Sequence, residues 1–223
     1  MIINSDRQFI FIHIPKVAGT SISKSLGGEP GMFLAQNVLG EQQLISSHTY
    51  ASEVKRFMGS EQYNAFFKFA FVRNPWDRLY SLYNFMVNSE EINRGKHIFD
   101  QEEAHRRGFK WFLLENRTKY TRVKLYGVDV TICQQITPQL DWLTQDNRLI
   151  VDYVGTYENL QQDFSLISER IGITEPLRWH NKFSSRNYVH AYDNEMIDFV
   201  THYHEKDIQM FHYTFDGPLT NRM

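Results

Sequence analysis

Two short apolar runs, each broken off by a cation and the start of a helix, constrain this chain more than any other feature. The first, Phe9-Ile10-Phe11-Ile12-His13-Ile14, stops at Pro15, and Lys16, Ala18, Gly19, Thr20 and Ser21 follow at once. The second, Phe66-Phe67-Lys68-Phe69-Ala70-Phe71-Val72, stops at Arg73-Asn74-Pro75-Trp76-Asp77-Arg78. Both have strand length and strand composition. Asn74 suits an N-cap, Pro75 the first helical position, and Asp77 the third, where a carboxylate favours the helix dipole. Leu79, Leu82, Tyr83 and Met86 then recur at three- and four-residue steps, as one helix face does.

A strand that empties into a turn and a helix presents unpaired N–H groups at that turn. Lys16 adds a mobile point charge there, and Thr20 and Ser21 add hydroxyl donors. Gly19 is expected to let backbone approach an anion closely. The order is not that of a Walker A loop, whose lysine follows its glycines; here the lysine precedes Gly19 by three. The second strand delivers Arg73 to the mouth of the second helix in the same way. Alternating strands and helices predict an α/β fold, a mainly parallel sheet with crossover helices, whose sites lie at the carboxyl ends of strands.

The segment Ile12-His13-Ile14-Pro15-Lys16-Val17-Ala18-Gly19-Thr20-Ser21 resembles the 5′-phosphosulfate loop of sulfotransferases that use 3′-phosphoadenosine 5′-phosphosulfate (PAPS), in the wording of the family 2 carbohydrate enzymes. The segment from Phe71 to Ser81 resembles the 3′-phosphate motif of the same family, whose working arginine and serine fall on Arg73 and Ser81. Val154-Gly155-Thr156-Tyr157-Glu158-Asn159-Leu160 looks like a further family segment, with Thr156-Tyr157 in place of the usual arginine-phenylalanine. Residues 180–188, which include Lys182, Ser184 and Arg186, stand where the family has an Asn-Lys-Ser loop, here interrupted by Phe183. The resemblance implies a P-loop-like sulfotransferase fold and a PAPS donor. Pro15, Lys16, Ala18, Gly19, Thr20 and Ser21 would hold the phosphosulfate, Arg73 and Ser81 the 3′-phosphate, and Lys182, Ser184 and Arg186 would line the nucleotide's 3′ side.

Chemistry narrows the catalytic candidates. Sulfuryl transfer builds charge on the leaving bridging oxygen, and a fixed cation there lowers the barrier; the resemblance gives that role to Lys16. Attack by a hydroxyl is helped by a base. The family places a histidine between the two phosphate motifs, and His48 in Ser47-His48-Thr49 occupies that slot; imidazole titrates in the right range. His13 is expected to pack or orient the turn. His202 and His204 face different directions on a helix and make a poor metal pair, and no metal is expected. Trp76, Phe183 and Tyr188 could stack on adenine or pack in the core. Asp141, Glu158 and Asp193 read as structural or capping residues, Glu158 being the acid best able to assist a base.

The 223 residues, 42% hydrophobic and 15% aromatic, suit one α/β domain over 1–223. A formal charge of -2 argues against a polyanion groove, so any anion site is local and no nucleic-acid partner is expected. The single cysteine, Cys133, permits neither an internal disulfide nor a thiolate cluster. No signal-peptide pattern or membrane-spanning run is seen, which predicts a cytoplasmic protein. Helices are expected at about 51–63, 101–115, after Asn159 to Ile171 with a stop at Gly172, and 194–210; a third strand is expected at 149–154. Residues 36–49 and 88–100 read as polar connections, and 116–137 as an insertion where an acceptor could be recognised. The acceptor expected is a hydroxyl-bearing molecule, a saccharide first. A nucleotide kinase or ATPase with a variant phosphate loop, and a non-catalytic nucleotide- or glycan-binding module, stay open as alternatives.

Overall fold

A computed structural model describes residues 1–28, 32–36, 42–46, 48–88, 101–115, 123–125, 128–130, 136–177 and 185–218. They form two compact units, Met1–Arg73 with Gln139–Lys182, and Asn74–Pro138 with Phe183–Met223.

In chain order the first unit begins with β1 (Ile2–Asn4), β2 (Phe9–Ile12), α1 (Gly19–Ser25), β3 (Met32–Gln36), β4 (Gln42–Ser46), α2 (Ala51–Met58), α3 (Ser60–Ala65) and β5 (Phe67–Val72). The second contributes α4 (Pro75–Asn88), α5 (Gln101–Leu114), β6 (Val123–Leu125) and β7 (Val128–Val130). The first then resumes with α6 (Gln139–Leu143), β8 (Thr144–Gln145), β9 (Arg148–Leu149), β10 (Tyr153–Thr156) and α7 (Leu160–Ile171). The second closes with a 3-10 segment (Ser185–Ala191), α8 (Asn194–Tyr203), α9 (Glu205–Phe211), β11 (Tyr213–Thr214) and β12 (Gly217–Pro218).

The first unit is built on a sheet of order β1-β2-β5-β10. β2 pairs parallel to β5 (Phe9↔Phe67, Ile12↔Ala70), β5 parallel to β10 (Tyr153↔Phe69, Thr156↔Val72), and β1 runs antiparallel along β2. Phe9, Phe11, Phe69 and Phe71 are fully buried, as strands covered on both faces require. The expected mixed α/β fold with a parallel core is therefore present. Lys68 is a cation inside this core; it pairs with Asp152 at 2.9 Å, and the same carboxylate accepts from the Lys68 backbone N–H.

The third strand starts later than 149. Asp146 and Asn147, at φ 51° and 59°, make a tight turn that folds β9 back on β8, and the chain joins the sheet only at Tyr153. Residues 51–63 do not form one helix: Gly59 at φ 80° separates α2 from α3. A hairpin, β3 against β4, lies where a polar connection was expected, and β6 and β7 pair inside the 116–137 insertion. α7 ends at Gly172 in the left-handed region, as its sequence predicts.

In the second unit the Asn74 side chain accepts from the N–H groups of Trp76 (3.1 Å) and Asp77 (3.3 Å), making the expected cap of α4. Leu79, Leu82 and Met86 form its buried face. The expected helix 194–210 is two helices, broken at His204 (φ -108°, ψ 23°), whose imidazole turns into the core 3.3 Å from Asp207. His202 is exposed, so the two histidines do point apart. Asp193 caps α8 by accepting from the Met196 N–H. α5 is kinked at Gly108. No helix among the described residues is long and apolar enough to cross a membrane.

Candidate functional site

The carboxyl ends of β2, β5 and β10 leave the sheet side by side, followed respectively by the 13–18 turn, Arg73 and Tyr157. The turn holds two non-glycine residues in the left-handed region, Lys16 at φ 68° and Ala18 at φ 65°. Gly19 is not one of them. Its lack of a side chain serves another contact: a methyl built there would collide with the His13 ring at Nε2. The expectation that Gly19 is needed for anion approach is thus joined by a packing reason, because the His13 ring occupies the space a Cβ would fill. Pro15, Val17 and Ser21 are buried, and Lys16, Ala18 and Thr20 half-buried or nearly so.

His13 is sandwiched in aromatic company, stacked on Phe11 at 5.6 Å and tilted against His48 at 4.4 Å. Burial, then the neighbouring His48 and Lys16 charges, hold its pKa well below the usual imidazole range, so the ring is neutral near pH 7. Its backbone carbonyl lies 2.9 Å from His48 Nδ1. A carbonyl can only accept, so Nδ1 carries the proton and, in the neutral ring, Nε2 carries the lone pair. In that tautomer Nε2 is the basic atom of the ring. Trp142, fully buried on α6, meets the His48 ring edge at 6.4 Å and stacks on Tyr50 at 4.3 Å.

Arg73 is almost fully buried. Its guanidinium lies over the Tyr157 ring at 4.0 Å and donates to the Lys16 carbonyl at 3.1 Å. The two cations expected from the sequence are therefore close neighbours. Burial, and next the Arg73 charge, lower the Lys16 pKa from 10.5 to about 8. Positive charge is thus concentrated at adjacent strand ends in partly desolvated surroundings, which makes this edge the candidate site.

The structure thus brings together Lys16, Gly19, His48 and Arg73, all in the first unit. Ser81 lies half-buried two turns into α4 of the second unit. Arg186 falls in the Ser185–Ala191 segment of that unit, while Lys182 and Ser184 lie outside the described residues. Trp76 and Tyr188 are core residues: both pack edge-on against Phe215, and Tyr192 donates to the Trp76 carbonyl. Tyr157, Gln139 and Trp142 were not singled out for the site by sequence reasoning. Tyr157 had a signal, since it directly follows a strand whose carboxyl end belongs with those of β2 and β5.

Fold and site together describe an α/β protein with two neighbouring cations at the carboxyl edge of a parallel sheet. The Sulfotransferase family model matches residues 1–214, and the chain belongs to that family. It is similar to carbohydrate sulfotransferase 14 of Danio rerio, 24% identical over 184 residues that cover 80% of this chain and 50% of the relative. It is also similar to an uncharacterized protein of Archaeoglobus fulgidus, 26% identical over 124 residues covering 56% of this chain and 82% of that protein. The chain spans about half the length of the zebrafish relative. No solved structure matches it.

Proposed function

We propose that the chain is a PAPS-dependent O-sulfotransferase, a single domain over residues 1–223 acting on a hydroxyl of a saccharide or similar acceptor. The observation that carries this reading is the Lys16–Arg73 pair: two cations at adjacent strand ends, with the lysine's proton loosened by burial and by the arginine. Such a pair is relieved by a doubly phosphorylated ligand, so the residues present fit the donor nucleotide. The family match across both units and the name of the zebrafish relative support a sulfuryl donor and a sugar acceptor.

In this reading the acceptor oxygen forms a bond to sulfur, the bond from sulfur to the bridging phosphate oxygen breaks, and adenosine 3′,5′-bisphosphate leaves. Lys16 offsets charge on the bridging oxygen, and its loop, with Pro15, Ala18, Gly19, Thr20 and Ser21, cradles the phosphosulfate. His48 Nε2 takes the acceptor's proton, held in that tautomer by the His13 carbonyl. Arg73 and Ser81 bind the 3′-phosphate, with Lys182, Ser184 and Arg186 near it.

Calorimetry with adenosine 3′,5′-bisphosphate, ADP and AMP tests the donor. The bisphosphate is expected to bind at least about tenfold tighter than AMP, roughly the worth of one charge-assisted hydrogen bond. Equal affinities would remove the roles given to Arg73 and Ser81. The acceptor follows from transfer of labelled sulfate to a panel of saccharides, lipids and phenols.

A further inference from the structure

Arg73 stands one residue beyond the last rung of the β5 ladders, which close at Val72↔Thr156 on one side and Ile12↔Ala70 on the other. Its peptide lies past the paired strands, and Gln139 takes over the role of a neighbour. The glutamine Oε1 accepts from the Arg73 N–H at 2.8 Å, and its Nε2 donates to the Arg73 carbonyl at 2.8 Å. One amide therefore grips both sides of a single residue, as the peptide of a further strand would. Gln139 is fully buried and comes 66 positions later in the chain. It opens α6, and one turn on the same helix carries Trp142 against His48.

A buried glutamine with both ends of its amide spent on one backbone fixes that backbone in direction as well as place. The direction matters at Arg73. A guanidinium stacked on the Tyr157 ring and bonded to the Lys16 carbonyl is aimed by the path of its own Cα. Resting on the reading of Arg73 as the 3′-phosphate ligand, we propose that Gln139 is a positioning residue for nucleotide selectivity: it touches no ligand and sets the aim of Arg73 through both of its backbone hydrogen bonds.

The test measures adenosine 3′,5′-bisphosphate and AMP binding to wild type, Gln139→Leu and Gln139→Glu, each checked for folding by thermal melting. Glutamate is isosteric and keeps an acceptor for the Arg73 N–H, so it serves if leucine does not fold. Both variants are expected to lose bisphosphate affinity by roughly 10- to 100-fold, the range for an unmade buried hydrogen bond, while AMP affinity changes less than about threefold. In an Arg73→Ala background the same substitutions are expected to change neither affinity further. A residue that merely supports the fold would weaken both nucleotides alike and would do so with or without Arg73; that result overturns the inference. A wild type indifferent to the 3′-phosphate overturns both readings, whereas a preference kept intact in the variants overturns this one alone.

Discussion

Lys16 is a cation whose proton is held loosely in the absence of ligand. With its pKa lowered to about 8, it is largely neutral by about pH 9, and a bound anion restores the charge. The sign follows from linkage: a ligand that prefers the protonated lysine must take up a proton on binding where the free protein has lost it. Calorimetry of the bisphosphate at about pH 8.5, in buffers of different ionisation heat, is expected to show uptake of up to about three-quarters of a proton, and affinity is expected to fall as pH rises through about 8. Lys16→Ala abolishes both effects. Gly19 supplies a second prediction. A methyl there cannot be accommodated without moving the buried His13 ring, so Gly19→Ala should cost about 1–3 kcal/mol in urea unfolding, as overpacking does. The double variant with His13→Ala should recover part of that loss. Recovery distinguishes packing from backbone freedom, because a conformational penalty would survive removal of the ring.

At the scale of elements, one residue caps the start of α4. Asn74 satisfies two N–H groups of the first turn and donates to the Thr214 carbonyl. Asn74→Ala is expected to destabilise by about 2 kcal/mol, the upper end for a cap, because the site is buried; urea denaturation at constant m-value is the check. This element was readable in the sequence, since the cap, the proline and the apolar stripe agree within one segment. Elsewhere local cues misled. Leu149 and its β-branched successors look like a strand, yet Leu149 is 41% exposed and the ladder begins at Tyr153. Register against Phe69 decides that, and Phe69 is remote in sequence. The break at His204 has no glycine or proline to announce it; the buried imidazole pairs with Asp207 three residues on, where a continuous helix was expected. The site divides on the same line. Lys16, His48 and Arg73 sit in motifs, so their types and spacing reveal them. Gln139 reaches Arg73 from 66 positions away with nothing local to mark the meeting, and Tyr157, 84 positions away, is marked only by its place after a strand.

For the whole molecule, the strand order places β5 between two partners that enter the chain far before and far after it. Phe9 pairs with Phe67, a separation of 58, and Phe69 pairs with Tyr153, a separation of 84. Parallel pairings of that span close late, because their loop entropy must be met first. The cationic edge depends on all three strands, so it belongs to the finished sheet. Refolding in saturating bisphosphate is therefore expected to proceed at the rate seen without it, while unfolding slows in proportion to the binding energy. Faster refolding with nucleotide would mean that the edge forms early, against this order of events.

That timing has a consequence during synthesis. Tyr157 leaves the ribosome 84 residues after Arg73 and 18 after Gln139. Until then Arg73 lacks its aromatic platform, and before Gln139 it lacks the glutamine amide as well. On the proposed reading of Arg73, a chain truncated before Gln139 is expected to be blind to the nucleotide, because the amide and the ring that hold Arg73 both come later.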